Sequence, residues 1–136
     1  MFKMIVEPRF GDVDGLGHIN NTVIPQWFEL ARNPIFRIFH PDLNLDLKKW
    51  KLIMAKIEVD FRKPLIYQQK VEIRTYLERV GTSSFTLRHE AWQNGELASK
   101  GLAVGVYYDF INKRSMPIPQ NIIDQLTEHM KDSKNK

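Results

Sequence analysis

Leu97-Ala98-Ser99-Lys100-Gly101-Leu102-Ala103-Val104-Gly105-Val106-Tyr107-Tyr108-Asp109-Phe110 is the stretch whose reading decides the fold. Successive side chains of a β-strand point to opposite faces, so Gly101, Ala103 and Gly105 fall on one side and leave it nearly bare. A bare face predicts that something large lies close against this backbone. Immediately before it stands Asn94-Gly95. Both residues tolerate the positive φ that a type I′ turn requires at its two central positions, so the pair predicts a two-residue hairpin. The partner strand is then residues 83–92, where Phe85, Leu87, His89 and Ala91 alternate with Thr86, Arg88, Glu90 and Trp92. Residues 70–79 repeat the pattern, with Val71, Ile73, Thr75 and Leu77 against Glu72, Arg74, Tyr76 and Glu78. Residues 53–61 do so again, with Ile53, Ala55, Ile57, Val59 and Phe61 against Met54, Lys56, Glu58 and Asp60. Each segment predicts one antiparallel strand buried on its apolar side.

The object expected against the bare face is a helix. From Asn20-Asn21-Thr22, three residues that favour helix N-caps, an apolar stripe runs through Ile24, Trp27/Phe28, Ala31, Ile35 and Ile38/Phe39 at helical spacing. Pro25 is tolerated in a first turn; Pro34 is not, and predicts a break near Asn33. Residues 2–10 read as a further strand, and Pro119 to Met130 as a short amphipathic helix with Ile122, Ile123, Leu126 and Met130 on one side. The predicted class is α+β: one antiparallel sheet around one apolar helix, in one domain spanning 1–136.

Composition narrows the function. With 136 residues, 43% hydrophobic and 26% charged, the chain is of ordinary globular make-up. It has no cysteine, which excludes disulfide staples, Cys-ligated zinc and a thiol nucleophile. No apolar run approaches the ~20 residues that span a bilayer, and the start is too short in apolar residues for a signal peptide, so a cytoplasmic protein without a membrane role is expected. The net charge of +4 is dispersed along strands and alternates with acids, which argues against nucleic acid as a partner. Its one dense basic run, Lys131 to Lys136, reads as a solvated end. His18, His40, His89 and His129 show no metal-ligand spacing, and His89 reads as a core histidine, so no metal is expected.

The densest polar cluster is Arg9-Phe10-Gly11-Asp12-Val13-Asp14-Gly15-Leu16-Gly17-His18-Ile19-Asn20-Asn21, which runs straight into the helix start. A helix N-terminus presents unpaired N–H groups and a partial positive charge that favour an anion or a developing oxyanion. A carboxylate beside such donors can act as nucleophile or as general base. The plainer alternative is that Asp12 or Asp14 closes an Asx-turn and that Asn20 or Asn21 caps the helix. An EF-hand is excluded, because Val23 occupies the twelfth loop position counted from Asp12.

These residues carry a resemblance. Arg9 to Asp14, then Gly17-His18-Ile19-Asn20-Asn21 and Phe28-Glu29-Leu30-Ala31-Arg32, resemble the opening of the hotdog-fold acyl-CoA thioesterases of the 4-hydroxybenzoyl-CoA thioesterase family. Arg79 to Phe85 resembles that family's turn between two central strands, and Asp109 with Met116-Pro117-Ile118-Pro119 resembles its ending. The resemblance implies a long central helix wrapped by a curved antiparallel sheet, with a short C-terminal helix. It implies hydrolysis of an acyl-CoA to a free acid and coenzyme A, with no cofactor beyond the coenzyme A of the substrate. Asp14 matches the catalytic carboxylate. Asn21 falls where a backbone N–H polarises the thioester carbonyl, with Asn20 beside it, and His18 matches an imidazole that orients the carboxylate or positions the carbonyl. Gly81, Thr82, Ser83 and Ser84 stand where relatives place Arg and Lys against coenzyme A phosphates, and offer N–H groups and hydroxyls instead. Ile24 stands where a Tyr is common. A homodimer or homotetramer is implied. Two other readings stay open: hydrolysis of acyl groups on acyl carrier protein, and a non-catalytic module that binds acyl thioesters.

Overall fold

In the computed structural model, which describes residues 1–130, the chain runs β1 (Phe2–Val6), a 3-10 turn (Phe10–Asp12), α1 (Val23–Ala31), α2 (Asn33–Phe39), β2 (Leu52–Phe61), β3 (Val71–Val80), β4 (Ser84–Gln93), β5 (Glu96–Asp109), β6 (Arg114–Ser115) and α3 (Gln120–Thr127). The strands form one antiparallel sheet in the order β1-β3-β4-β5-β2, with β6 paired to the end of β5. Bulges at Met54/Lys56, Leu77/Arg79 and Ala91/Trp92 bend three of the long strands. A bulge adds local twist, and the sheet curls around α1 and α2. This is the expected hotdog arrangement. The expected solvated run Lys131 to Lys136 lies outside the described residues.

Local signals land where chemistry puts them. Asn94 and Gly95 both have positive φ, 55° and 74°, as a type I′ turn demands. The helix breaks at Arg32, between α1 and α2, with Pro34 in the first turn of α2. The missing N–H of Pro34 then costs no interior hydrogen bond.

The bare strand is filled from two directions, not one. A Cβ on Gly101 would sit 2.9 Å from Phe28 Cε2, so the helix does lie against it. On Gly105 it would sit 2.3 Å from Phe85 Cζ, a ring from β4 and not from the helix. Phe85 pairs directly across from Gly105, and directly opposed residues share a face. Phe39 of α2 then stacks on Phe85, ring centres 5.1 Å apart.

Two expected faces are corrected. In β2, Leu52 is buried while Ile53, Ile57 and Phe61 are 41%, 53% and 45% exposed. The bulge at Met54/Lys56 exchanges the inward parity, Leu52 facing in before it and Val59 packing on the core after it. β2 is also the sheet edge, so among the described residues no strand pairs with its outer side. In β4, Glu90 is not solvated but only 2% exposed; Arg88 Nε donates to its Oε2 at 2.7 Å and Trp92 Nε1 to its Oε1 at 3.0 Å. The first strand is also shorter than expected, residues 7–9 leaving the sheet before the 3-10 turn, and α3 stops at Thr127.

Candidate active site

The loop between β1 and α1 is a chain of side-chain-to-backbone turns. Asp12 is buried. The Arg9 backbone N–H donates to its Oδ2 at 2.8 Å, and the Arg9 guanidinium donates to its Oδ1 at 3.0 and 3.3 Å. Burial alone would raise the Asp12 pKa, but the hydrogen bonds and charge of Arg9 together hold it below the usual carboxylate range. Both of its oxygens are committed to the loop. Asp14 is different. Its Oδ1 accepts from Leu16 N–H at 2.8 Å and His18 N–H at 3.2 Å, an Asx-turn helped by Gly17 at φ 81°. Its Oδ2 accepts no hydrogen bond among the described residues.

Pairing pins this loop to the segment after β2. Val13 bridges Ile19, His18 bridges Ile66, and Ile19 N–H donates to Leu65 C=O at 2.8 Å. Asn20 then starts the helix: its Oδ1 accepts from Thr22 N–H and Thr22 Oγ1, both at 2.9 Å, and its C=O accepts from Val23 N–H. The N–H of Asn21, next in line, has no acceptor among the described residues. Asp14, His18, Asn20 and Asn21 come together on one cavity of about 270 Å³. Half-buried Asp14 thus has one unbonded oxygen and lines the same cavity as the start of α1. The His18 contact to that carboxylate is through its backbone N–H, while its half-buried ring lines the cavity.

The turn Gly81 to Ser84 is not brought to this cavity within one chain. It joins β3 to β4 at the end away from Leu65 and Ile66, and the ten residues of β3 separate the two ends by roughly 30 Å. Gly81 N–H is spent on Ser84 C=O at 2.7 Å, and the carbonyls of Thr82 and Ser83 accept from Ile118 and Tyr107. The sequence reading misses Phe61 and Lys63, which line the Asp14 cavity from the end of β2. Only the pairing of residues 18–19 with 65–66 puts them there, and no local pattern signals it.

His89 is a core histidine, as read. It is 1% exposed, stacked on Phe28 at 5.0 Å, with Arg32 Nη1 3.4 Å from Nε2 and Thr75 Oγ1 3.0 Å from Nδ1. Arginine can only donate, so Nε2 accepts and Nδ1–H donates to Thr75. Burial first, and the Arg32 charge second, push its pKa down to about 3. The unfolded chain therefore binds a proton below about pH 6.5 that the folded chain refuses until about pH 3. Stability from this residue is complete above about pH 6.5 and falls by about 1.4 kcal/mol per pH unit below it. Urea unfolding from pH 7 to pH 4 is expected to show this slope and His89→Gln to remove it; equal slopes in the two proteins would refute the assignment. Among the described residues no group of three or more His, Asp or Glu side chains is placed to hold a metal, and no helix is long and apolar enough to cross a membrane.

Comparison with known proteins gives a consistent result. Residues 8–126 match the family model of the thioesterase-like superfamily. A solved structure described as a predicted thioesterase from Bacillus stearothermophilus is 41% identical, covering 95% of this chain and 96% of its own, with a TM-score of 0.89. A thioesterase from Thermus thermophilus, complexed with coenzyme A and zinc, is 33% identical over 93% of this chain and 91% of its own, with a TM-score of 0.79. A thioesterase superfamily protein from Jannaschia sp. CCS1, 22% identical with a TM-score of 0.81 over 95% of this chain and 92% of its own, shares the fold. No curated protein matches the chain.

Proposed function

Since the chain belongs to the thioesterase-like superfamily and is a thioester hydrolase, we propose that it hydrolyses acyl-CoA thioesters at the cavity shared by Asp14 and the start of α1. The observation that carries this reading is the division of labour within one carboxylate: Asp14, which lines the cavity, has Oδ1 held by two N–H groups and Oδ2 left unbonded. A thioester carbonyl is electrophilic because sulfur donates poorly into it, so a fixed carboxylate suffices without a cofactor beyond the substrate's own coenzyme A. Oδ2 either attacks the carbonyl carbon, expelling the coenzyme A thiolate and leaving a mixed anhydride for water to open, or takes a proton from water that attacks instead. Both routes consume one water and yield the free acid and the thiol. The developing oxyanion needs donors about 2.7–3.1 Å away. The unbonded N–H of Asn21 is the donor we assign, reinforced by the α1 dipole. His18 and Asn20 line the same cavity and position the reacting group. The solved Thermus relative bound to coenzyme A supports a coenzyme A substrate. A carrier-protein thioester is the second reading, favoured by the +4 net charge, which suits an acidic partner. The test is thiol release from a panel of acyl-CoA and acyl-carrier substrates; release from neither by the folded protein refutes the proposal.

The exposed edge supports a further part of the reading, a homodimer. Among the described residues β2 pairs on one side only, and its other side carries unpaired backbone groups beside exposed Ile53, Ile57 and Phe61. Two-fold antiparallel pairing of β2 with β2 covers these groups. It also reverses strand direction, so Gly81 to Ser84 of the partner subunit arrive at the end of the sheet where Asp14 lies, within reach of one extended coenzyme A. Light scattering is expected to give twice the 16.0 kDa chain mass. Ile57→Lys, which puts a like charge on the same edge of both subunits, is expected to weaken the dimer at least about a hundredfold, a loss of ~3 kcal/mol. A monomeric and fully active native protein would refute the dimer.

A further inference from the structure

The break between α1 and α2 leaves a second cavity, of about 440 Å³, sharing no lining residue with the Asp14 cavity. Its walls are largely apolar, with Phe36, Trp50, Leu52 and Met54 among them, yet Arg32 lines it too. Arg32 is 2% exposed. No ion pair among the described residues includes it. One of its five guanidinium N–H donors meets His89 at 3.4 Å, and its Nε is buried with no partner. His89 is already satisfied by Thr75 and, as a neutral ring, offers no compensating charge. A guanidinium stays protonated, and a buried cation that feels one exposed carboxylate only through space, with no ion pair, gains from a ligand that supplies an anion in contact. Glu29 lines the same cavity and its charge favours the Arg32 cation through space, but it is exposed and makes no ion-pair contact with Arg32.

We propose that this cavity binds a carboxylate attached to an apolar body, the carboxylate on the Arg32 guanidinium and the body against Phe36, Trp50 and Leu52. The planar fork of donors matches a carboxylate's two oxygens, and the apolar walls disfavour a small, fully hydrated anion. Such a carboxylate has two sources: a free acid of the kind thioester hydrolysis releases, or an acyl group bearing a second carboxylate at its far end.

Isothermal titration of the full-length protein with hexanoate, 1-hexanol and inorganic phosphate tests the site directly. Hexanoate is expected to bind at least tenfold more tightly than hexanol, and phosphate not at all. Arg32→Met, of similar length without the charge, is expected to lose at least tenfold in hexanoate affinity, leave hexanol unchanged and melt no lower than the native protein. Glu29→Gln, on the exposed helix surface, is expected to tighten hexanoate several-fold by removing a competing charge. Equal binding of hexanoate and hexanol, no binding of hexanoate, or binding of phosphate alone would overturn the proposal. Hydrolysis of adipyl-CoA against hexanoyl-CoA then separates the sources. An adipyl preference lost in Arg32→Met assigns the cavity to the acyl group; equal rates, with hexanoate bound, assign it to a free acid. That comparison alone rests on the thioesterase reading. Hydrolysis of neither compound would count against that reading, while the titration decides the carboxylate site by itself.

Discussion

Asp14→Asn is expected to lower kcat/KM for thioester hydrolysis by about 10³-fold while the protein stays folded. The substitution is chosen for what it keeps. An amide Oδ1 still accepts from the N–H groups of Leu16 and His18, so the turn that aims residue 14 survives. What disappears is the second carboxylate oxygen, the one left unbonded, and with it both candidate roles. Asp14→Ala also abolishes the reaction on this reading, but it removes the acceptor of two N–H groups, exposed at Leu16 and part-buried at His18, at a cost of about 1 kcal/mol. The Ala variant therefore mixes chemistry with folding and the Asn variant does not. Thiol release measured beside circular dichroism and thermal melting settles the matter: a folded Asp14→Asn protein retaining a third or more of native activity would remove Asp14 from the reaction.

Gly105→Ala is expected to destabilise the fold by about 3 kcal/mol, among the largest effects of any single added methyl. The new Cβ would lie 2.3, 2.7 and 2.9 Å from three atoms of the Phe85 ring. That ring is 1% exposed and stacked on Phe39, so it cannot swing away without opening the core between β4, β5 and α2. Gly11→Ala is the control, since nothing lies within 4 Å of a Cβ there, and it is expected to change stability by less than about 0.5 kcal/mol. Adding Phe85→Leu to Gly105→Ala is expected to recover part of the loss, because the double variant removes the collision that defines the first. Urea denaturation reads all of these. A Gly105→Ala midpoint equal to the native one would show that the β4–β5 contact is looser than described.

How much of this is legible from the chain alone follows from the range of the forces involved. Asn94-Gly95 reads correctly because the sign of φ is a property of those two residues. Pro34 announces the helix break because its lost donor acts within one turn. The Asp14 loop is legible as well, since an Asx-turn closes over two to four residues and Asp14, His18, Asn20 and Asn21 are near neighbours in the chain. The plain and the functional readings of that loop do not compete. Asp12 spends both oxygens on Arg9 within the loop, while Asp14 spends one on the turn and keeps the other.

The β2 face misleads for two reasons that a period-two pattern does not mark. The bulge at Met54/Lys56 exchanges parity and turns Ile53 outward. The free sheet edge leaves Ile57 and Phe61 exposed although they share the parity of Val59. Gly105 is rightly read as a place of close approach but not as to its neighbour, since register between strands decides that Phe85 stands opposite. The elements, their order, the break in the helix and the local geometry of the Asp14 loop are all written in the chain, because contacts between residues close in sequence set them. The curl of the sheet, the arrival of Phe61 and Lys63 beside Asp14, and the burial of Arg32 against His89 without an ion pair emerge only on folding. Each joins residues tens of positions apart, and such pairs meet only once a whole sheet has chosen its register.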